Sequence, residues 1–439
     1  MYIDRIAIRN FRTFRETEAS FQFPEREGGG RPLDYPNVNL LLGNNGMGKS
    51  AALKAVALAL MTPVIESTGY RPYSIVRRDP ESKGLPTEVT AEVVLNGQDL
   101  SSGIETGEKK TLRAVVERKA TTELIKPTSE TSDSIWEPMY DEKSAAFFFV
   151  GYGASRTVES SEKADPSLRF RSRHLRYDRV AGLFEEFATL IPLMTWLPEL
   201  KAENPGRHKQ VFNLINRLLP DTTRFLDEVE RGEFLFRHRG LTVPFRALSD
   251  GFQAYIGWIG DLLYHVCFGC PRGMKLVDNR GIVLVDEIDL HLHPEWQLSV
   301  LPTISRTLPN LQFICTTHSP IVAGTVESAN LLLVCPDGEH ASILARPEIE
   351  IHGLTADQIL MSSHFGLVST RAPSFYAELE KASVGVSRGE PGAGVRFMKM
   401  VSLGAGADDL ADLALEAEPA ESKVTRQKAR RPKKSRSAR

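Results

Sequence analysis

Apolar and polar residues alternate over the first two dozen positions, with Tyr2, Ile3, Ile6, Ile8, Phe11, Phe14, Phe21 and Phe23 as the apolar set. That period of two predicts a pair of strands meeting around Asn10–Thr13. Glu25–Arg31, with three successive glycines, predicts a flexible turn. Val38–Leu42 is a short apolar strand. A glycine-rich stretch follows, then an Ala/Leu-rich helix to Met61 that Pro63 is expected to end. Alternation returns at Glu88–Leu95 and Thr111–Arg118, two strands able to pair antiparallel, while residues 120–143 are polar and predict a loop. Ala145–Val150 (AAFFFV) predicts a buried strand running into GYGASR, with Arg156 at its end.

From 160 to 230 the pattern predicts helices, with Arg179–Ile191 and Lys209–Leu219 amphipathic and Pro192, Pro198, Pro205 and Pro220 as punctuation. Heptads are not sustained, which argues against a long coiled coil. Phe234–His238 and Leu241–Phe245 flank Arg239-Gly240 as a hairpin. Leu248–Val266 predicts a helix opening at LSDGFQ. Gly281–Val285, Leu311–Cys315 and Leu331–Cys335 are apolar strands. Strands alternating with helices in this half predict a parallel α/β sheet, which binds ligands at the carboxyl ends of its strands. The stretch 43–50, Asp286 and His318 would all fall there.

The ordinary balance of 41% hydrophobic and 25% charged residues indicates a folded globular chain, and 439 residues suffice for two or three domains. No apolar run approaches a membrane span, and the first residues carry no secretory apolar segment. Four cysteines in this length point to a reducing compartment, so a cytoplasmic location without membrane contact is expected. Net charge is −2, but it is unevenly spread: Asp408–Glu421 holds six acids, and Lys423–Arg439 nine Lys/Arg and no acid. Such charge blocks predict a disordered, solvated tail; the sharper alternative is a nucleic-acid or partner contact.

Gly43, Gly48, Lys49 and Ser50 fit the pattern G-x-x-x-x-G-K-S/T between a strand and a helix. Glycines let backbone N–H groups of Gly43, Asn44, Asn45, Gly46, Met47, Gly48, Lys49, Ser50 and Ala51 close around phosphate oxygens. The helix N-terminus adds partial positive charge, Lys49 reaches the β- and γ-phosphates, and Ser50 offers a hydroxyl to Mg²⁺. A chance match in a glycine-rich loop would lack the flanking strand and helix. Asp286 and Glu287 stand at a strand end: the first suits Mg²⁺, the second suits orienting or deprotonating the attacking water. His318, three residues past Cys315, is placed to hydrogen-bond a γ-phosphate or the water. ATP and Mg²⁺ are the expected cofactors. Ser249 and Gly251, taken alone, are only a capped helix start.

Together, GNNGMGKS, GYGASR, LSDGFQ, IVLVDEID and TTHSP resemble, in order, the motifs of ABC-type ATPases of the SMC/RecF class. The resemblance implies an α/β P-loop ATPase head, with a mixed sheet, an antiparallel β subdomain and an inserted helical subdomain. It implies boundaries at 1–158 for the first lobe, 159–232 for the insertion and 233–350 for the second lobe. A small helical region at 351–400 and a tail at 401–439 follow. It also implies a homodimer or higher oligomer closed by ATP. Lys49, Ser50, Asp286, Glu287 and His318 would act in cis, and Ser249 and Gly251 would come from the second subunit. About 200 residues separate the phosphate loop from LSDGFQ, too few for long arms. The chain is thereby similar to compact ATPases of bacterial defence operons, the Septu and retron-associated PtuA-like group. YGASR, LSDGFQAYIGWIGDLL, IDLHLHPEWQ, QFICTTHSP and, less specifically, HGLTADQILMSSHFGL carry that likeness. What it implies is ATP hydrolysis coupled to acting on or sensing DNA, in anti-phage defence, beside a separate effector nuclease. The alternative is a slow ATP-locked scaffold that sequesters or recruits an effector, similar to AriA-like ATPases of the PARIS type. A transporter ATPase stands third.

The chain departs from the class in two places. No glutamine lies between Gln98 and Gln210, so Tyr152, Ser155 or Arg156 would stand in for the Mg²⁺-contacting glutamine. His291-Leu292-His293-Pro294 occupies the place of an aspartate after Glu287; with Asp289 these histidines are also weak metal candidates. Cys267 and Cys270 match C-x-x-C after a helix rather than at its start, which disfavours a reactive thiolate. Arg169–Arg179 carries five arginines, expected as a solvated helical face, with DNA or phosphate contact as the alternative. Trp296 is expected to be a core or interface aromatic.

Overall fold

The computed structural model describes residues 1–402 except 27–31, 69, 71, 81, 83, 100–105, 127–136, 142–143, 159–174, 186–187, 349, 363–364 and 366. Most of the Glu25–Arg31 turn, parts of the 120–143 loop, the start of the 160–230 region, residues 169–174 of the arginine-rich stretch and the charged tail from 403 lie outside these residues. The chain forms two compact units, Met1–Gly366 and Leu367–Arg439.

The first unit begins with β1 (Tyr2–Phe11), β2 (Phe14–Ser20), β3 (Val38–Leu42) and helix α1 (Lys49–Ser67). Then come β4 (Thr87–Val94), β5 (Lys109–Lys119), β6 (Thr122–Lys126), β7 (Phe149–Tyr152), β8 (Thr157–Val158) and β9 (Thr189–Leu190). Helices α2 (Leu193–Glu203) and α3 (Pro205–Leu218) lead to a three-stranded antiparallel sheet of β10 (Thr223–Glu230), β11 (Glu233–His238) and β12 (Leu241–Pro244). Helix α4 (Asp250–Gly269), β13 (Gly281–Val285), helix α5 (Val300–Thr307), β14 (Leu311–Thr317), β15 (Leu331–Asp337) and β16 (Ala341–Ala345) complete the frame.

Eleven strands form one mixed sheet in the order β6-β5-β4-β1-β2-β16-β15-β3-β14-β13-β7. The first five pair antiparallel as a wing, whereas β15, β3, β14, β13 and β7 run parallel. Register aligns Leu42 with Thr317, and Val285 with both Cys315 and Tyr152, so four strands deliver their following loops to one edge. Alternation along these strands feeds two cores. Leu40, Val283, Val285 and Phe313 face α4, α3 and α5, while Leu41, Leu284 and Ile314 face α1 and the wing. Asn39 and Gln312 are fully buried on the second face and are satisfied by Gln22 and Ile3 backbone groups, which tie the wing to the central strands.

Several elements differ from the pattern-based expectation. Pro63 does not end α1, which runs on to Ser67. A proline removes one helix hydrogen bond, but Val64 and Ile65 are fully buried and packing holds the last turn. Thr122–Lys126, expected as loop, is an edge strand, reversed from β5 through Ala120 at φ +53°. The strand expected at 145–150 begins only at Phe149, because Phe147 is left-handed and its N–H donates to Asp99 Oδ1 at 2.8 Å. Among the described residues of Arg179–Ile191, only Ala181–Phe184 is helical. There Gly182 abuts Gly153, and the Ile191 N–H is drawn to the buried Asp261 Oδ1 at 2.7 Å. Residues 223–230, read as helical, form β10, with Asp227 at φ +60° in a bulge.

In the second unit, α6 (Pro373–Ser387) and α7 (Ala393–Ser402) are joined through left-handed Gly389 and Gly392. Arg371 donates to the Met400 carbonyl at 2.8 Å.

Candidate functional site

The loop after β3 needs its glycines for distinct reasons. A Cβ at Gly43 would lie 2.7 Å from the Val334 carbonyl oxygen. Gly46 and Gly48 have φ of +78° and +110°, the left-handed region that disfavours any side chain. At Gly48 a Cβ would also meet Thr13 Oγ1 at 2.3 Å. The Thr13 hydroxyl donates to the Met47 carbonyl at 3.1 Å, so the β1–β2 turn pins one side of the loop. Asn44, Asn45 and Gly46 stay exposed. Gly48 is the N-cap of α1 and offers no side-chain cap, which leaves the first N–H groups of a 19-residue helix directed at the loop. Ser50 is half-buried in that first turn, and Ala51 is buried behind it.

Lys49 folds back into the loop it follows. Its ammonium donates to the carbonyls of Gly43 at 2.8 Å and Asn44 at 3.0 Å, and to His318 Nδ1 at 3.2 Å. Burial lowers its pKa to about 8, against the opposing pull of Asp286, Glu287 and Asp289. Burial, then the Lys49 charge, lowers the His318 pKa as well. A neutral imidazole accepting at Nδ1 carries its proton on Nε2.

Asp286 and Glu287 leave the end of β13 beside this pair. Asp286 is buried; its Oδ1 accepts the Thr316 hydroxyl at 2.6 Å, and no described residue donates to its second oxygen. Glu287 is left-handed, with φ +50°, which costs a side-chain-bearing residue about 1–2 kcal/mol. Its N–H donates to Thr316 Oγ1 at 2.8 Å, and the Ile288 N–H to the Thr316 carbonyl at 2.9 Å. Asp289 accepts the Thr317 hydroxyl at 2.5 Å. Thr316 and Thr317 were not singled out from the sequence. The parallel register of β13 and β14 brings them beside the acidic turn, and only the TTHSP spacing hinted at it.

Of the three stand-ins for the missing glutamine, only Arg156 meets the acidic turn with its side chain; Tyr152 meets it through its carbonyl, which accepts the Asp286 N–H at 2.8 Å. The Arg156 guanidinium donates to the carbonyls of Asp286 (3.1 Å) and Glu287. Tyr152 turns its hydroxyl the other way, to Asp261 Oδ2 at 2.8 Å, and Ser155 is exposed.

The structure therefore brings Lys49, Asp286, Glu287 and His318 together at the ends of three adjacent parallel strands. Ser249 stands apart as the N-cap of α4; its side chain is exposed and makes no cap hydrogen bond. Gly251 packs on the turn after Glu287, since a Cβ there would sit 2.5 Å from the His291 carbonyl oxygen. Among the described residues no group of three His, Cys, Asp or Glu could hold a metal, so His291 and His293 with Asp289 are not such a site, nor are Cys267 and Cys270. Both cysteines are buried thiols with raised pKa. Arg176 is buried and donates to the Ala146, Phe147, Pro138, Asp141 and Ser144 carbonyls, so it is not on a solvated face. Trp296 packs edge-on against Phe252, with centroids 3.9 Å apart.

A phosphate-type loop and an acidic strand end on a mixed α/β sheet define a P-loop ATPase head. Residues 38–323 match the family described as "AAA domain, putative AbiEii toxin, Type IV TA system", and the chain belongs to that family. It is 24% identical over 372 residues to the Septu protein PtuA of Bacillus mycoides (strain KBAB4), covering 84% of this chain and 45% of that protein. It is 44% identical over 87 residues to the retron Ec83 probable ATPase of Escherichia coli, covering 20% of this chain and 16% of that one. The chain thus spans less than half the length of these two relatives. The SMC head domain from Thermotoga maritima superposes with a TM-score of 0.44 and 15% identity, over 80% of this chain and all of that domain.

Proposed function

We propose that this chain is an ATPase that dimerises around Mg²⁺-ATP, hydrolyses it, and uses the cycle to act on or sense DNA in anti-phage defence, with a separate effector nuclease. The observation that carries the reading is the convergence of Lys49, Asp286, Glu287 and His318 at the ends of β3, β13 and β14. The defence assignment rests on the likeness to Septu and retron proteins.

The residues fit the nucleotide and its metal. Exposed Gly46 has open space where a Cβ would stand, uncapped α1 N–H groups face the loop, and Asp286 keeps an oxygen that no described residue donates to. Bound Mg²⁺ neutralises charge on the β- and γ-phosphate oxygens; Ser50 and Asp286 are the residues that would hold it. Lys49 exchanges its loop carbonyls for phosphate oxygens, and Gly43 to Ala51 surround the phosphates with N–H donors. Glu287, held by Thr316, orients the attacking water and takes its proton. His318 loses Lys49 as a donor when phosphate captures the lysine, and its imidazole then reports the γ-phosphate. The exposed hydroxyl of Ser249 and the α4 N-terminus are proposed to reach the nucleotide of a second subunit, with Gly251 allowing the approach.

The test is ATP turnover with and without duplex DNA, beside Glu287→Gln. Loss of turnover in the variant, with ATP-dependent dimers trapped and wild-type turnover raised by DNA, is the expected result. Negligible wild-type turnover that DNA does not alter would replace this reading with the ATP-locked scaffold.

A further inference from the structure

The side chain of Arg156 joins the acidic turn to the helix opening at LSDGFQ. The residue follows β7, the edge neighbour of β13, and reaches back beneath the turn at the end of β13. There it donates to two successive carbonyls, those of Asp286 and Glu287. The other face of the same guanidinium lies over the ring of Trp258, 5.8 Å from its centroid. Trp258 is fully buried in α4, nine residues after Ser249, so one side chain touches both the acidic turn and that helix. Among the described residues Arg156 has no ion pair; the acids of the turn act on it only through their field. Both hydrogen bonds leave one nitrogen, Nη2, while the guanidinium carbon lies over the Trp258 ring; a delocalised, weakly hydrated cation serves both contacts at once better than a compact ammonium does.

The backbone gives this contact its purpose. Glu287 is held in a left-handed conformation, its N–H fixed by Thr316 and its carbonyl by Arg156. Remove the guanidinium, and the carbonyl side of that turn loses its side-chain donor. Behind it, Tyr152 and Asp261 bridge β7 to α4, and Asp261 also accepts the Ile191 N–H. The acidic turn, α4 and the segment before α2 are thus in contact through Arg156, Trp258, Tyr152 and Asp261.

We infer that Arg156 is a positioning residue: it sets the direction of the Glu287 carboxylate and couples that direction to movement of α4. For its consequence in turnover the inference rests on the ATPase reading, so the experiment has one arm that does not. In the first arm, amide hydrogen exchange is followed on nucleotide-free wild type and Arg156→Gln. Exchange at Glu287 to Asp289 and in the first half of α4 is expected to quicken at least tenfold, with β1 and α1 unchanged. Unchanged exchange at the turn overturns the inference whether or not the protein hydrolyses ATP. In the second arm, kcat and KM for ATP are compared. Arg156→Gln is expected to lower kcat at least tenfold with KM within threefold, Arg156→Lys to recover only part of it, and Arg156→Gln to add no further loss to Glu287→Gln. A fall in kcat that multiplies with that of Glu287→Gln, or full recovery by lysine, overturns the positioning role. Wild type without turnover refutes the ATPase reading alone and leaves the exchange arm to decide for Arg156.

Discussion

Lys49 is a cation held by neutral carbonyls and a neutral imidazole, with three carboxylates near enough to pull but none within hydrogen-bond reach. Its pKa of about 8 gives a pH dependence with a definite sign. A polyphosphate favours the charged form, so binding raises the lysine pKa and takes up a proton wherever the free protein has lost one. ATP affinity should therefore be level below about pH 7.5 and fall above pH 8, by at most about tenfold per unit. Lys49→Met should bind weakly with no slope in that range, which isothermal titration from pH 7 to 9.5 would check. Thr316 makes a second residue-scale case. Thr316→Val keeps the shape but strands the Glu287 N–H and one Asp286 oxygen, at a cost of about 2–4 kcal/mol for two buried groups. A chemical-denaturation midpoint unchanged from wild type would contradict that. Lys49, Asp286, Glu287 and His318 were legible in the sequence because their motifs name both residue type and strand position. Thr316 was not, because its role depends on register with a strand 30 residues away.

At the scale of elements, legibility followed burial pattern. β3, β13 and β14 are mainly apolar runs, broken only by buried Asn39, Gln312, Thr316 and Thr317, and buried on both faces, and the sequence placed them almost to the residue. Where the sequence misled, a tertiary contact had overruled a local rule. Packing of Val64 and Ile65 overrode Pro63, and the carboxylate of Asp261 took the N–H that a helix through Ile191 would have used. The start of α4 offers a test of such element contacts. Gly251→Ala pushes a methyl into the His291 carbonyl, which belongs to a left-handed residue with little room to move. Overpacking of this kind costs about 1–3 kcal/mol. The variant should unfold earlier in urea and form fewer ATP-dependent dimers, yet at protein concentrations where it is monomeric it should bind ATP with the affinity of the wild-type monomer, because nothing in β3 or α1 has changed. Equal loss of ATP affinity would mean that the two regions are one cooperative unit.

On the scale of the whole molecule, charge argues about DNA more directly than any single contact. The chain carries −2 overall, and removing the nine positive charges of Lys423–Arg439 leaves −11. A net charge of that sign opposes a polyanion at long range, so any long-range attraction to duplex DNA would come chiefly from Lys423–Arg439. The six acids of Asp408–Glu421 stand directly before it and would compete for the same arginines and lysines. Binding should then be sensitive to salt in a characteristic way. Each phosphate that the tail neutralises adds about 0.9 to the log–log slope of affinity against salt. Deleting residues 422–439 is expected to weaken duplex binding at least tenfold at 50 mM salt and to flatten the slope by several units, with ATP turnover in the absence of DNA unchanged. Fluorescence anisotropy with a labelled duplex across a salt series reads both quantities. If affinity and slope survive the deletion, the attraction arises elsewhere on an acidic body, and the tail has no part in DNA binding.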